Sequence, residues 1–556
     1  MSNTRRGIPI TSSRIEKIFP KLTPAQISRI ATRGHVRSME EGEVLYEQGQ
    51  RAAPFFVVIS GELEVVRPSV PVETLVTTYE LGQFTGEVGS LSGRRTLFRV
   101  RAAKPGKVIE LDRQQMLTLI QTDAELGEIL MRAFILRRVE LIAAGVGDTV
   151  LIGSAYSAST LRIKGFLMRN GQPYSYMDLE RDPDVQNLLD NFQISAGEIP
   201  VLICRGQIVL RNPTNQEIAD CLGFNESIDQ THVRDLVIIG AGPSGLAAAV
   251  YGASEGLDVM VLETSSPGGQ AGSSSRIENY LGFPTGISGQ DLAGRAYVQA
   301  QKFGTDILIA KATRLVCDSK PYIVELESGA RIPTRTIVIA TGAEYRRPPC
   351  KNLSHFEGAG VYYGATFVES QLCGGEEVIV VGGGNSAGQA AVFLAETTKR
   401  VHMLVRSAGL AESMSRYLIR RIEETAIVLR QYTEIVAIEG SDHLEFVRWH
   451  NNQTGQTEEH KIRHIFVMTG ADPNTSWLDG CVALDDKGFI KTGLDLFSDN
   501  LSAAGWPLTR QPYLLETSLP GVFAVGDVRG GSMKRVASAV GEGSTAISFV
   551  HKVLQE

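Results

Sequence analysis

The chain has 556 residues, 43% of them hydrophobic and 21% charged, with a formal net charge of −7. At about 150 residues per domain, this length asks for three or four separate cores, and an acidic balance argues against the basic face that nucleic-acid binding needs. The opening residues, MSNTRRGIPITSSR, hold basic groups but no apolar core for a signal peptide. The longest apolar stretch, Leu236 to Ala253, is interrupted by four glycines and a proline, so nothing reads as a bilayer span. The expectation is a cytoplasmic protein with no nucleic-acid partner and no membrane partner. Its six cysteines (Cys204, Cys221, Cys317, Cys350, Cys373, Cys481) show neither CxxC nor metal-ligand spacing, and are expected to be mostly reduced and buried, with no metal.

From about Glu41 to Ala102, the segments GEVLYEQGQ, PFFVVISGELEVVRPS and TLFRVRA alternate between apolar and polar residues and are punctuated by glycine, which predicts an antiparallel roll or barrel. Between Leu111 and Ala144, apolar residues three and four apart (Met116, Leu119, Ile120, then Leu126, Ile129, Leu130) predict two helices. With VISGELEV before a loop and FTGEVGSLSGRRT after it, residues 15–145 resemble a cyclic-nucleotide-binding domain. The resemblance implies a phosphate cassette at Gly86 and Glu87, with Glu87 taking the ribose hydroxyl. Arg94 or Arg95 would pair with the cyclic phosphate, which a planar fork of donors suits. The other reading is a roll that binds no nucleotide. No basic helix-turn-helix follows to support a transcription factor.

Residues 148–225 change character. TVLIGSAYS reads as strand and loop, STLRIKGFLMRNG as an amphipathic helix, PYSYMDLE as a strand, PDVQNLLDNF as a helix and IPVLICRGQIVL as a hairpin. The order resembles a glutaredoxin or thioredoxin fold, with Ile199-Pro200 in the place of that family's cis-proline. Where the family carries CxxC, this chain has Ala155, Tyr156, Ser157, Ala158 and Ser159, none of which can act as a thiolate. A docking or spacer role is therefore expected, with Cys204 in the core.

After a polar linker (NESIDQTHV), DLVIIGAGPSGLAAAVYGASEGLDVMVLE reads as strand, glycine turn, helix and strand. Gly240 permits the turn, Gly242 lets backbone approach a pyrophosphate and Gly245 lets the helix sit close on its strand. Glu263 closes the second strand, placed to accept from ribose hydroxyls. SSPGGQAGSSSRIENYLGFP is a loop suited to wrapping a large ligand, and TRTIVIATGA is a buried strand ending at Thr341-Gly342. A second fingerprint, EEVIVVGGGNSAGQAAVFLA, has Gly382, Gly384 and Ala387 in the GxGxxA places around Asn385 and Ser386, so two dinucleotide sites are expected. The following strand VHMLV ends in Arg406, where an NAD site usually carries an acid. A cation there suits a 2′-phosphate and favours NADPH over NADH, with Ser407 where a second arginine is usual.

The motifs GAGPSGL, GGQ, IENYLGFP, ATGA, GGGNSA, TGADPNT, and AVGDVRG with RVASAVGEG occur in the order that low-molecular-weight thioredoxin reductases use. Residues 233–556 resemble that family, in which an NAD(P)H-binding domain (here 347–472) is inserted into a split FAD-binding domain (here 233–346 and 473–556). The whole is thus expected to be a multidomain chain: a β-roll with helices, a thioredoxin-like α/β unit and a two-Rossmann α/β flavoprotein. The resemblance implies FAD contacts at Gly240, Gly242, Ser244, Gly245, Glu263, Gly269, Gln270 and Asn279. Further contacts would come from Gly342, from Asp527 on the ribityl chain, and from Arg535, Val536 and Ala537 along the ring. For NADPH, the implied residues are Gly382, Gly384, Asn385, Ser386, Ala387 and Arg406.

The dithiol positions of that family align with Gly364 and Phe367, and Cys373 has no second thiol nearby in sequence. No side chain is therefore assigned as acid, base or nucleophile, and the flavin is taken as the reactive centre. Three function classes compete. One is a flavin reductase that passes electrons to a quinone, a small iron or flavin protein, or oxygen. The second is a disulfide reductase using Cys373 or a partner's thiols, and the third is a redox and nucleotide sensor with little turnover. The acceptor, the cyclic-nucleotide effector and the oligomeric state, a homodimer included, stay open at this level.

Overall fold

The computed structural model describes residues 15–556 apart from 69–72, 144–148, 180–181, 183–184, 186–197, 205–207, 226–227, 479 and 500–505. Most of the helix expected over PDVQNLLDNF lies outside the described residues. The N-terminal sheet comprises β1 (His35–Met39), β2 (Val44–Tyr46), β3 (Phe55–Arg67), β4 (Thr74–Tyr79) and β5 (Arg99–Leu111), ordered β1-β5-β3-β4 with β2 also on β5. The two long strands bend together. A Cβ on Gly106 would lie 2.1 Å from the Ser60 carbonyl and one on Gly61 2.7 Å from that of Pro105, so only glycine allows the backbones this close where the register shifts. Phe55, Phe84 and Phe134 stack at tilted and edge-on angles inside the roll, with Phe134 supplied by the helix Ala124–Ala143. Helix was expected from Leu111, but β5 runs to Leu111 because that residue pairs with Phe55 of β3. The helix starts at Arg113, where the Asp112 carboxylate accepts from the Gln115 amide.

The middle module is a sheet of β6 (Thr149–Gly153), β7 (Ser175–Asp178), β8 (Val201–Cys204) and β9 (Ile208–Arg211), in the order β7-β6-β8-β9. β6 and β7 run parallel, and β8 and β9 run antiparallel to their neighbours. The Ile199-Pro200 peptide is cis, and Cys204 is fully buried.

In the C-terminal part of the chain, β10 (Arg234–Ile239), β11 (Val259–Glu263), β12 (Asp306–Ile309), β13 (Ala312–Val316), β14 (Tyr322–Leu326) and β15 (Arg331–Ile339) form one sheet ordered β12-β11-β10-β15-β14-β13. The chain leaves this sheet through β16 (Ala343–Tyr345). It then builds a parallel sheet from β17 (Val361–Tyr362), β18 (Glu377–Val381), β19 (Arg400–Leu404) and β20 (Ile427–Arg430), and an antiparallel one from β21 (Thr433–Gly440), β22 (Leu444–Asn451) and β23 (Thr457–His460). After β24 (Ile465–Val467) joins β17 and β18, the chain returns through β25 (Ala471–Pro473), paired with β16, and β26 (Val522–Ala524) closes the first sheet beside β15. Among the described residues no helix is long and apolar enough to cross a membrane.

The expectation of mostly reduced cysteines is corrected at one place: Cys317 and Cys481 form a disulfide across 164 residues. The bridge joins the two halves of the split domain, so a rule that reads local spacing has nothing to detect. Serine at both positions should lower the stability of the flavin domain by roughly 2–5 kcal/mol, measured as the shift of its denaturant midpoint. An unchanged midpoint would mean that the closed loop adds nothing.

The parallel sheet of β17 to β20 and β24 adjoins a buried histidine. His464 is 4% exposed, with Nδ1 3.3 Å from the Tyr362 hydroxyl and Nε2 3.4 Å from Glu376. Burial pushes its pKa from 6.5 down to about 4; Glu376 opposes that shift, while Arg463 and His443 add to it. Because the unfolded chain takes the proton first, His464 contributes stability above pH about 6.5 that is lost as the pH falls towards 4. Thermal melts should show this loss, and His464→Gln should flatten it within that window.

Candidate active site

The flavin cradle lies where β10 hands over to the helix Pro243–Ser254. Gly240 has φ +103, and a Cβ there would sit 2.3 Å from the Ala340 carbonyl; a Cβ on Gly245 would sit 1.9 Å from the Gly240 carbonyl. Gly242, the N-cap, differs: its Cβ would meet nothing within 4 Å, so it faces open space beside the unpaired N–H groups of the helix start. Gly269 closes over this point, its Cβ position 3.0 Å from the Gly242 Cα. Glu263 is buried, and its carboxylate is fixed by the Ala241 amide at 2.8 Å and the Ser265 amide at 2.9 Å. Gln270 donates to the Ala343 carbonyl.

The C-terminal half of the domain supplies the opposite wall. Gly526 turns at φ +72 against Ser244, and the Glu542 carboxylate accepts from its amide at 2.6 Å and from Arg529 at 2.6 Å. That turn carries Asp527, whose pKa burial raises, with Lys534 opposing and Glu542 adding. Arg535 caps the helix Val536–Gln555, and Arg535 and Ala537 are exposed at its start. Gly342 has φ +65 with open space at its Cβ position, and Asn474 brackets it: its amide donates to the Gly342 carbonyl and its side chain to the Thr341 carbonyl. Asn279 is exposed on a loop whose neighbour Glu278 is ion-paired with Arg421 of the nicotinamide domain. Glu542 and Asn474 escaped notice although both lie inside quoted motifs, because their role is to hold a turn.

The second cradle repeats the first. Gly382 (φ +139) approaches the Met468 carbonyl, Ala387 is fully buried, and Gly384 caps the helix Asn385–Ala395 with open space at its Cβ position. Asn385 accepts from the Ser415 amide at 2.7 Å. Arg406 is exposed and makes no ion pair among the described residues. Tyr345 packs against the hydrophobic cluster that contains Ala387, and burial raises its pKa, with Ser386 opposing and Asp527 adding.

Gly364 has open space at its Cβ position, and Phe367 begins the helix Phe367–Leu372. Cys373 follows that helix fully buried, its thiol near the Glu369 and Ser370 carbonyls, and burial pushes it up to about 12. It is no thiolate at neutral pH. The module's loop at Ala155 to Ser159 faces this region: a Cβ on Gly358 would lie 2.5 Å from that of Ala158, and Tyr156 lies 6.0 Å from the His443 ring.

In the N-terminal roll, Gly86 (φ +97) packs on Phe134, and Glu87 lies 3.5 Å from Arg138. Arg94 turns to other domains, donating to Tyr297 at 2.8 Å and to the Asn170 carbonyl at 3.3 Å, with Phe224 beneath it at 4.0 Å. Arg95 donates to the Gly49 carbonyl at 3.2 Å and lies against Gly223.

The sequence profile of the pyridine nucleotide-disulphide oxidoreductase family matches residues 234–543. The chain belongs to this family. A cyclic nucleotide-binding domain profile matches residues 36–123, so such a domain precedes the oxidoreductase. Among similar proteins, a 34.2 kDa protein in a rubredoxin operon of Clostridium pasteurianum is 31% identical over 322 residues, covering 58% of this chain and 97% of its own length. The thioredoxin reductase of Peptoclostridium litorale is 30% identical, covering 58% and 98%. Lactococcus lactis thioredoxin reductase, solved in its FR conformation, aligns with a TM-score of 0.52 at 28% identity over 58% of this chain and all of that one. The cofactors of this oxidoreductase are FAD and NADPH, and the open faces at Gly242 and Gly384 fit two pyrophosphates.

These two glycines allow a clean test. A Cβ at either meets no protein atom, so alanine should leave the fold intact while intruding on the phosphate. Gly242→Ala should weaken FAD binding and Gly384→Ala NADPH binding, each by about ten- to a hundredfold, with the other cofactor unaffected in equilibrium titrations. Equal affinities in wild type and variant would displace the cradle.

Proposed function

We propose that the chain is an NADPH-dependent FAD oxidoreductase that delivers electrons to an acceptor other than a dithiol of its own, with a cyclic nucleotide as effector. The flavin supplies a centre that takes hydride from the nicotinamide and releases electrons singly or in pairs. The observation that carries the reading is that Gly242 and Gly384 leave two open glycine cradles while Cys373 is fully buried with its thiol held protonated, and Gly364 and Phe367, at the aligned dithiol positions, carry no sulfur. Acceptor classes are a quinone, oxygen or a small iron or flavin protein; the relative in a rubredoxin operon supports including an iron protein. Arg406, exposed at the end of β19, would pair with the 2′-phosphate. The domain limits proposed are 15–145, 148–225, 233–346 with 473–556, and 347–472. The middle module's strand order favours a thioredoxin-like fold used for docking, and the location proposed is the cytoplasm.

A second reading, disulfide reduction, is favoured by the relatives named thioredoxin reductase and by the Cys317–Cys481 disulfide. Thiol counting separates the two. Anaerobic NADPH should bleach the flavin and expose no new protein thiols, and Cys373→Ser should keep wild-type turnover with quinones. Two new thiols per chain, with thioredoxin reduced as fast as quinone, would move the assignment to the second reading. NADPH binding without turnover on any acceptor would mark a sensor.

Arg406→Ala should narrow the preference for NADPH over NADH by about ten- to a hundredfold in kcat/KM, the worth of a charge-assisted contact. An unchanged ratio would leave Arg406 as a solvated surface charge.

A further inference from the structure

The helix Ala158–Arg169 belongs to neither dinucleotide domain, and it lies outside the residues matched by the oxidoreductase profile. Its twelve residues span about 18 Å, and each end is built into a different domain. At the first turn, Ala158 meets Gly358, and Leu161, 8% exposed, joins the nicotinamide-domain cluster of Tyr362, Ala365 and Cys373. Along its middle, Ile163, Phe166 and Leu167 pack on the module's own sheet together with Ile309 of the flavin domain.

At the last turn, Arg169 donates to the Gly269 carbonyl at 2.9 Å, and the C-cap Asn170 donates from its side chain to the Ser265 carbonyl at 3.1 Å. These bonds bracket the loop that closes over Gly242, and Glu263 at its start is among the carboxylates acting on the Arg169 charge. Both contacts use side chains of the module on backbone carbonyls of the cradle, so the loop's own sequence does not supply them.

We propose that this helix is a strut between the two dinucleotide sites, and that Arg169 and Asn170 are positioning residues that hold the Ser265–Gly269 wall of the flavin cradle. The module thereby completes the FAD site and fixes its placement relative to the nicotinamide site. The inference rests on the FAD and NADPH reading above.

Full-length protein carrying Arg169→Ala, Arg169→Lys or Leu161→Ala tests it. Arg169→Ala should raise amide hydrogen exchange across residues 264–272 and weaken FAD binding about tenfold, the worth of one charge-assisted hydrogen bond, while Arg169→Lys recovers part of both. Leu161→Ala should raise exchange across residues 358–373, leave FAD affinity within about twofold, and slow flavin reduction at saturating NADPH by about tenfold, with NADP+ binding unchanged. Exchange confined to the helix itself, with FAD affinity and reduction rate at wild-type levels, overturns the strut. If Leu161→Ala does not fold, the Arg169 pair decides alone: equal FAD affinity in wild type, alanine and lysine variants overturns it. Wild-type protein that binds no FAD would instead sink the functional reading, and the exchange pattern would still decide the strut.

Discussion

The flavin site depends on a strand pairing made across the whole nicotinamide domain. Ile337, Val338 and Ile339 of β15 pair with Val522, Phe523 and Ala524 of β26, and this register delivers the Gly526-Asp527 turn beside Ser244 and the first glycine fingerprint. Parallel strands cannot be joined by a tight turn and need a crossover; here the crossover contains a second dinucleotide domain. The β16–β25 ribbon gathers its two ends, Asn474 locks the returning chain onto Thr341 and Gly342, and the Cys317–Cys481 disulfide ties the same two halves covalently. Three independent devices therefore hold one closure, which is what a site assembled from distant segments requires.

Charge is handled differently at each place. In the cradles, the protein leaves helix N-termini open and fixes the buried Glu263 carboxylate with two backbone amides. In the N-terminal domain it buries Arg137 and Arg138, and burial lowers both pKa values; Arg137 donates to the Ile18 and Gly86 carbonyls, and Arg138 stands near Glu87. Arg94 reaches out of the cassette to the carbonyl of Asn170, the C-cap of the Ala158–Arg169 helix, where a cation meets the negative end of the helix dipole. The cassette and the flavin loop are thus two contacts apart, through Arg94 and Asn170.

The segment from Tyr362 to Cys373 meets the middle module. The cysteine-less loop at Ala155 to Ser159 packs against the nicotinamide domain close to that segment, with Ala158 on Gly358 and Leu161 among its core residues. The interface is made of small residues and apolar contacts, and the one thiol in it, Cys373, is fully buried.

Much of this was legible in the chain itself. The strand–glycine–helix pattern at Asp235 to Glu263 and its near-repeat at Glu377 to Ala395 are local: the chemistry of a tight turn and a phosphate-binding helix start is written in adjacent residues, and both cradles fold accordingly. The four strands of the middle module likewise follow from alternation and turn residues along one short segment. The tertiary structure decided what depends on residues far apart in sequence. The end of β5 at Leu111 is set by pairing with Phe55 of β3, the Cys317–Cys481 bond by the closing of a split domain, and the engagement of Arg94 by Tyr297, Phe224 and Asn170 from two other units. Spacing along the chain encodes periodicity and turns; which guanidinium meets which carbonyl is fixed only when separate cores pack, because those partners share no local pattern to read.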